Sequence, residues 1–109
     1  MESPPLEISP EDLHRRLQAG EDIQLVDVRE EMEFDYGHLP HSLLLPLDEL
    51  PRRAAEIRPE GSVVLICHHG VRSAHALGYL RHLGRTNVLN LRGGVAAWAE
   101  RVDPAFPTY

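Results

Sequence analysis

Val63-Val-Leu-Ile-Cys-His-His-Gly-Val-Arg-Ser73 decides how the rest of the chain is read. Four apolar residues, Val63 to Ile66, end at the only cysteine, Cys67. A short apolar run bounded by turn residues fits a strand buried on both faces. Gly70 then interrupts the chain, and a helical pattern runs from Arg72 to Leu83. Ala76, Leu77, Leu80 and Leu83 are expected on its inward side, with Gly84 as its stop. This order sets a thiol at the carboxyl end of a buried strand, facing the start of a helix. In open α/β sheets ligands bind at that place.

Upstream, Ser9-Pro-Glu-Asp12 reads as a helix start, with Ser as N-cap, Pro at the first helical position and acids in the first turn. Leu13 and Leu17 share a face of that helix, and Gly20 ends it. Ile23 to Val28 is a strand rich in β-branched residues, followed by a helical turn from Glu31 to Tyr36 that stops at Gly37. Leu43 to Leu45 is a short strand. Asp48 is expected to cap a helix from Glu49 to Ile57, with Pro51 in its first turn. Downstream, Asn87 to Leu91 is the last strand, Arg92-Gly-Gly94 a turn, and Val95 to Glu100 a helix carrying Trp98. The Pro-rich end from Asp103 is expected to be extended. Leu6 to Ile8 adds an edge strand, residues 1–5 form a loose tail, and 6–109 form one domain. Strands alternating with helices predict an α/β fold, a small parallel sheet of about five strands with helices on both faces.

The chain has 109 residues and a formal net charge of -6, with every fixed positive charge an arginine. That balance argues against nucleic-acid or acidic-membrane partners, which need clustered cations. No apolar run approaches the ~18 residues of a membrane span. The N-terminus lacks the basic and apolar regions of a signal peptide, and a lone thiol suits a reducing compartment, so a cytoplasmic location is expected. The seven histidines invite a metal. Neither His38 with His41, nor His68 and His69 with His75, has the spacing of a zinc set, so no metal is expected, and Gly93 and Gly94 lack the spacing of a dinucleotide fingerprint.

A free thiol is mostly protonated at neutral pH. Three features favour the thiolate at Cys67: the positive end of the following helix, a nest of N–H groups from His68 to Ser73, and the fixed charge of Arg72. Such a thiolate is a good nucleophile. Gly70 supplies the positive φ that a tight cradle requires. Cysteine phosphatases space Cys and Arg one residue further apart than Cys67 and Arg72. The shorter ring is expected to suit the terminal sulfur of a persulfide better than a phosphate.

Cys67-His-His-Gly-Val-Arg-Ser73 resembles the active-site loop of the rhodanese family. Asp27-Val-Arg-Glu30, Phe34 and Gly37-His-Leu-Pro40 resemble the family's N-terminal signature, and Leu91-Arg-Gly-Gly94 with Trp98 its C-terminal one. The similarity runs in order through nearly the whole chain and implies a stand-alone rhodanese-like sulfurtransferase. It implies Cys67 as catalytic nucleophile, with His68, His69, Gly70, Val71, Arg72 and Ser73 binding substrate. A sulfane sulfur would pass from a small sulfur-containing anion such as thiosulfate, or from a persulfide, to Cys67 and on to cyanide or a thiol, with no metal or organic cofactor needed. Members specialised for thiosulfate often carry Arg or Lys just after the cysteine, and some carry a base ahead of the aromatic; here those places hold His68, His69 and Glu33.

Asp27 and Arg29 are expected to organise the loops as a hydrogen-bonded pair, and His38 to lock a turn. Trp98 is expected in the core. A persulfide relay serving protein partners is the competing function, and a phosphatase-like or arsenate-reducing enzyme the more remote one.

Overall fold

The computed structural model describes residues 6–109; the tail expected over 1–5 lies outside them. Five strands, β1 (Glu7–Ile8), β2 (Ile23–Asp27), β3 (Leu43–Leu44), β4 (Ser62–Ile66) and β5 (Val88–Leu91), form one sheet in the order β1-β5-β4-β2-β3. Every pairing is parallel, and β4 is central, with Asp27 opposite Ile66 and Leu65 opposite Asn90. The helices are α1 (Pro10–Gln18), α2 (Glu31–Tyr36), α3 (Leu50–Arg53), α4 (Val71–His82) and α5 (Gly94–Arg101). The expected α/β architecture is what the chain forms.

Alternation along β4 sorts the core into two layers. Val63, Leu65 and Cys67 join Val26, Val28, Leu50, Ala76, Leu77 and Leu80 on the α3–α4 face. Val64 and Ile66 join Leu13, Leu25, Leu39, Leu91, Val95 and Trp98 on the α1–α5 face. The apolar run therefore feeds both faces, as a central parallel strand must. Cys67, one step beyond β4, inherits the α4 face.

Local chemistry accounts for the helix ends. The Ser9 Oγ accepts from the Asp12 N–H at 3.1 Å, and Gly20 leaves α1 in the left-handed region at φ 81°. Gly84 does the same after α4 at φ 88°. Four expectations need correction. Leu83 is 49 % exposed, because α4 ends at His82 and the inward stripe runs out with Leu80. The helix expected over Glu49–Ile57 is only the four-residue α3 between 3-10 turns at Leu47–Glu49 and Ala54–Glu56, and Asp48 caps nothing. Pro51 lies in the first turn of α3, where its missing N–H costs little, and the backbone leaves α geometry at Arg53, with φ -118° and ψ 8°. Gly37 is extended at φ 177°, so it does not stop α2 by a left-handed turn. It is needed for space, since a Cβ there would lie 2.8 Å from the Pro107 ring. Finally, the end of the chain is not simply extended. A turn at Asp103–Phe106, with the Phe106 N–H donating to the Asp103 carbonyl at 2.9 Å, buries Phe106. Residues 107–109 then return to the carboxyl edge of the sheet.

Candidate active site

From β2 the chain continues to β3 on one side, and from β4 to β5 on the other. The crevice between the carboxyl ends of β2 and β4 is thus the topological switch point. The segment after β2 brings Asp27 and Arg29 there, and the segment after β4 brings Cys67.

Cys67 is 1 % exposed, but its sulfur is not left among hydrocarbon. The Gly70 N–H donates to Sγ at 3.0 Å, and the Ser73 hydroxyl lies 3.3 Å away. Among the described residues, Gly70 supplies the one loop amide bonded to the sulfur; the others from His68 to Ser73 make no such bond. The first N–H groups of α4 have no intrahelical acceptor, and they form the positive end of a 12-residue helix beside Sγ. Gly70 has φ 95°, and a Cβ there would stand 3.3 Å from the Gly93 nitrogen. Two requirements, conformation and space, therefore both select glycine.

The loop is clamped from behind. The N–H groups of Val95 and Ala96, at the start of α5, donate to the Cys67 and His68 carbonyls at 2.9 and 3.0 Å. A trans peptide directs the next N–H away from that carbonyl, so the amides of His68 and His69 turn away from α5. A Cβ on Gly94 would collide with both of these carbonyl oxygens. Asn90, buried in β5, donates through Nδ2 to the Gly70 carbonyl at 3.1 Å and accepts from Ser73 Oγ at 2.5 Å. That fixes its amide orientation. The Ser73 hydroxyl has one proton for two acceptors, Asn90 Oδ1 and Cys67 Sγ.

Arg72 does not point freely into the crevice. Its two Nη groups donate to the two carboxylate oxygens of Glu33 at 2.6 and 2.8 Å. Glu33 also accepts from the Glu30 N–H at 3.0 Å and from the Tyr109 hydroxyl at 2.8 Å. The Arg72 guanidinium holds the Glu33 carboxyl down at about 2, with burial opposing and the Glu30 and Tyr109 bonds assisting. Arg72 is correspondingly raised, chiefly by the same bonds.

Arg29 is wholly buried. Its Nε donates to Asp27 Oδ1 at 2.9 Å. One Nη donates to Asp27 Oδ2 at 2.8 Å and the Gly37 carbonyl at 2.7 Å, the other to the Tyr109 hydroxyl at 2.9 Å. Burial works against its charge, yet the bonds to Asp27 and Tyr109 more than offset it and its pKa is raised. His38 donates through Nδ1 to the Phe34 carbonyl at 2.8 Å and stacks on the Phe34 ring at 3.7 Å, which locks the turn after α2. His68 stacks on Tyr109 with centroids 4.2 Å apart. Burial, then the neighbouring His69, lowers its pKa, so its imidazole is neutral near pH 7. His69 is exposed, and Val71 is 65 % exposed. A cavity of about 140 Å³ lies beside the loop, lined by His68, His69, Ala96 and Tyr109 among others. A second cavity, about 580 Å³ between α1, α5 and residues 39–41, contains none of the loop.

The structure therefore gathers Cys67, Gly70, Arg72 and Ser73 with Asp27 and Arg29, and leaves His38 to a structural bond. Sequence reading missed Asn90, Gly94 and Tyr109 as parts of the site. Asn90 carried a signal, as a polar residue inside an apolar strand. Tyr109 carried none.

Known proteins match this arrangement. The family model for the rhodanese-like domain matches residues 9–101. A sulfurtransferase of Allochromatium vinosum is 45 % identical over 98 residues, covering 90 % of this chain and 92 % of that protein. The adenylyltransferase and sulfurtransferase uba4 of Ogataea parapolymorpha is 34 % identical over 86 residues, covering 78 % of this chain but only 22 % of that longer protein. The solved structure of the human single-domain sulfurtransferase superposes with a TM-score of 0.79 at 27 % identity, covering 90 % of this chain and 98 % of that one.

Proposed function

This chain belongs to the rhodanese family, its domain is of the sulfurtransferase type, and from that premise we propose that Cys67 carries a sulfane sulfur between donor and acceptor as a persulfide. The observation that carries the reading is the donated bond from the Gly70 N–H to Cys67 Sγ at the mouth of the β4–α4 loop. An amide aimed at sulfur, next to a helix N-terminus, stabilises negative charge there without any titrating partner.

In the first half-reaction the Cys67 thiolate attacks the outer sulfur of a sulfane donor. A bond forms between Sγ and that sulfur. The donor's own S–S bond breaks, and its remainder leaves with the electron pair, as sulfite from thiosulfate or as a thiolate from a persulfide. In the second half, cyanide or a thiol attacks the outer sulfur and Cys67 departs as thiolate. The cycle is ping-pong with a covalent intermediate and no outside oxidant or reductant. Gly70 and the α4 N-terminus hold the anionic sulfur in both states, Asn90 and α5 hold the loop, and Ser73 offers its proton to whichever sulfur is charged.

Transfer between proteins is a second reading. It is favoured by the likeness to one segment of a longer protein whose name joins an adenylyltransferase to a sulfurtransferase. Intact mass tests the shared chemistry. Incubation with thiosulfate or a small persulfide should add one sulfur atom, cyanide should strip it, and Cys67→Ser should take up none. Loading that persists in Cys67→Ser would remove Cys67 from the role.

A further inference from the structure

Both guanidinium groups near Cys67 are already committed. Arg29 gives two donors to Asp27, and Arg72 gives both Nη groups to Glu33. The chain has no lysine to add another cation. Of the two loop histidines, His68 is neutral and stacked on Tyr109. The fixed charges of Asp27, Arg29, Glu33 and Arg72 cancel, so an ionised Cys67 leaves the site with a net negative charge. Glu30, Glu31 and Asp35 of the α2 segment add further acids around Glu33.

Glu33 is firmly placed. Its carboxylate accepts from both Arg72 Nη groups, the Glu30 N–H and the Tyr109 hydroxyl. Its side chain is 20 % exposed and that of Arg72 is 36 %, so the pair stands at the rim, where a donor would approach. A dianion can take the bidentate fork of Arg72 only by displacing this carboxylate, and one that binds the remaining N–H groups beside it brings two negative charges toward one. A persulfide needs only the Gly70 amide and the helix terminus for its transferring sulfur.

We infer, resting on the sulfurtransferase reading above, that Glu33 is a specificity-determining residue that turns the site away from doubly charged donors such as thiosulfate and toward persulfides, R–S–SH, whose reacting group brings at most one negative charge. Tyr109 is a positioning residue in the same device, because its hydroxyl donates to Glu33 and accepts from Arg29. The chemistry is unchanged: Sγ bonds the outer sulfur, which keeps its proton, the S–S bond of the donor persulfide breaks, and R–S⁻ leaves with the pair.

The test is the ratio of kcat/KM for thiosulfate to kcat/KM for the persulfide of 2-mercaptoethanol, with cyanide as acceptor. Glu33→Gln keeps the shape and removes the charge, and should raise the ratio about tenfold, the scale of a like-charge contact at a half-exposed rim. Glu33→Asp keeps the charge and should leave the ratio near that of the natural protein. Tyr109→Phe should raise it by a smaller factor, about twofold. The unaltered protein provides a check that needs no variant. Added salt screens like-charge repulsion, so thiosulfate kcat/KM should rise with ionic strength while the persulfide value changes less. A ratio unmoved in Glu33→Gln, or a thiosulfate kcat/KM that falls with salt, overturns the assignment of Glu33. Failure to load Cys67 from either donor would instead overturn the sulfurtransferase reading.

Discussion

Two arginine–carboxylate pairs flank Cys67, made of the same groups and held in different surroundings. Asp27 and Arg29 are both fully buried, whereas Glu33 and Arg72 are 20 % and 36 % exposed. Arg29 reaches Asp27, the Gly37 carbonyl and the Tyr109 hydroxyl, and so ties the end of β2, the turn after α2 and residues 107–109 into one unit. Among the described residues, Arg72 reaches only Glu33, in a bidentate contact at the rim. Desolvation separates their uses. A buried ion must keep its partners or destabilise the fold, while a rim ion can exchange its partner for water or substrate. The inner pair fixes the geometry of the crevice, and the outer pair is where a change of charge can alter selectivity.

The sharpest way to break this comparison is to truncate each arginine in turn. Arg29→Ala strands Asp27 without its counter-ion in the interior and should cost about 3–5 kcal/mol, read as a large drop in the urea midpoint. A loss below about 1 kcal/mol would show the inner pair to be no more structural than a surface contact. Arg72→Ala should cost only about 1 kcal/mol or less by the same measurement, because Glu33 keeps water, Glu30 and Tyr109 as partners. Its kinetic consequence should be larger than its structural one. With Glu33 left uncompensated, thiosulfate should saturate less readily; an unchanged concentration dependence would remove Arg72 from the mouth of the site.

The inner pair was legible in the sequence and the outer pair only half so. Asp27 and Arg29 stand two apart at the end of an apolar strand, and that spacing alone suggests a local hydrogen-bonded turn. Likewise Cys67, Gly70 and the start of α4 follow from an apolar run, a cysteine, a glycine and a helical pattern within eleven residues. Contacts across long sequence separations left no such trace. Arg72 and Glu33 lie on different helices, and nothing in either segment announces the other. Tyr109 is harder still, since its place depends on the turn at Asp103–Phe106 that buries Phe106, and on Gly37 leaving room for Pro107. Gly94 reads as an ordinary turn residue until the carbonyls of Cys67 and His68 are seen against it. The broken α3 shows a similar limit: its apolar spacing suggested nine residues of helix, but only four are α-helical.

The smallest effect isolates the outer pair by pH. Arg72 holds the Glu33 carboxyl at about 2 against an ordinary value of 4.5, so the folded state binds its proton less readily than the unfolded one. A depressed carboxyl contributes its full stability above about pH 4.5 and loses it as pH falls toward 2. The Glu33→Gln variant has no such group. The stability gap between the natural protein and Glu33→Gln should therefore be constant near neutrality, at about 1 kcal/mol or less given the exposure of the pair, and should close as pH falls through this window. Urea midpoints measured for both proteins across it give the answer. A gap that stays open at the acid end would mean that Glu33 stabilises through packing rather than through its charge, and the rim pair would then lack the exchangeable character that sets it apart from Asp27 and Arg29.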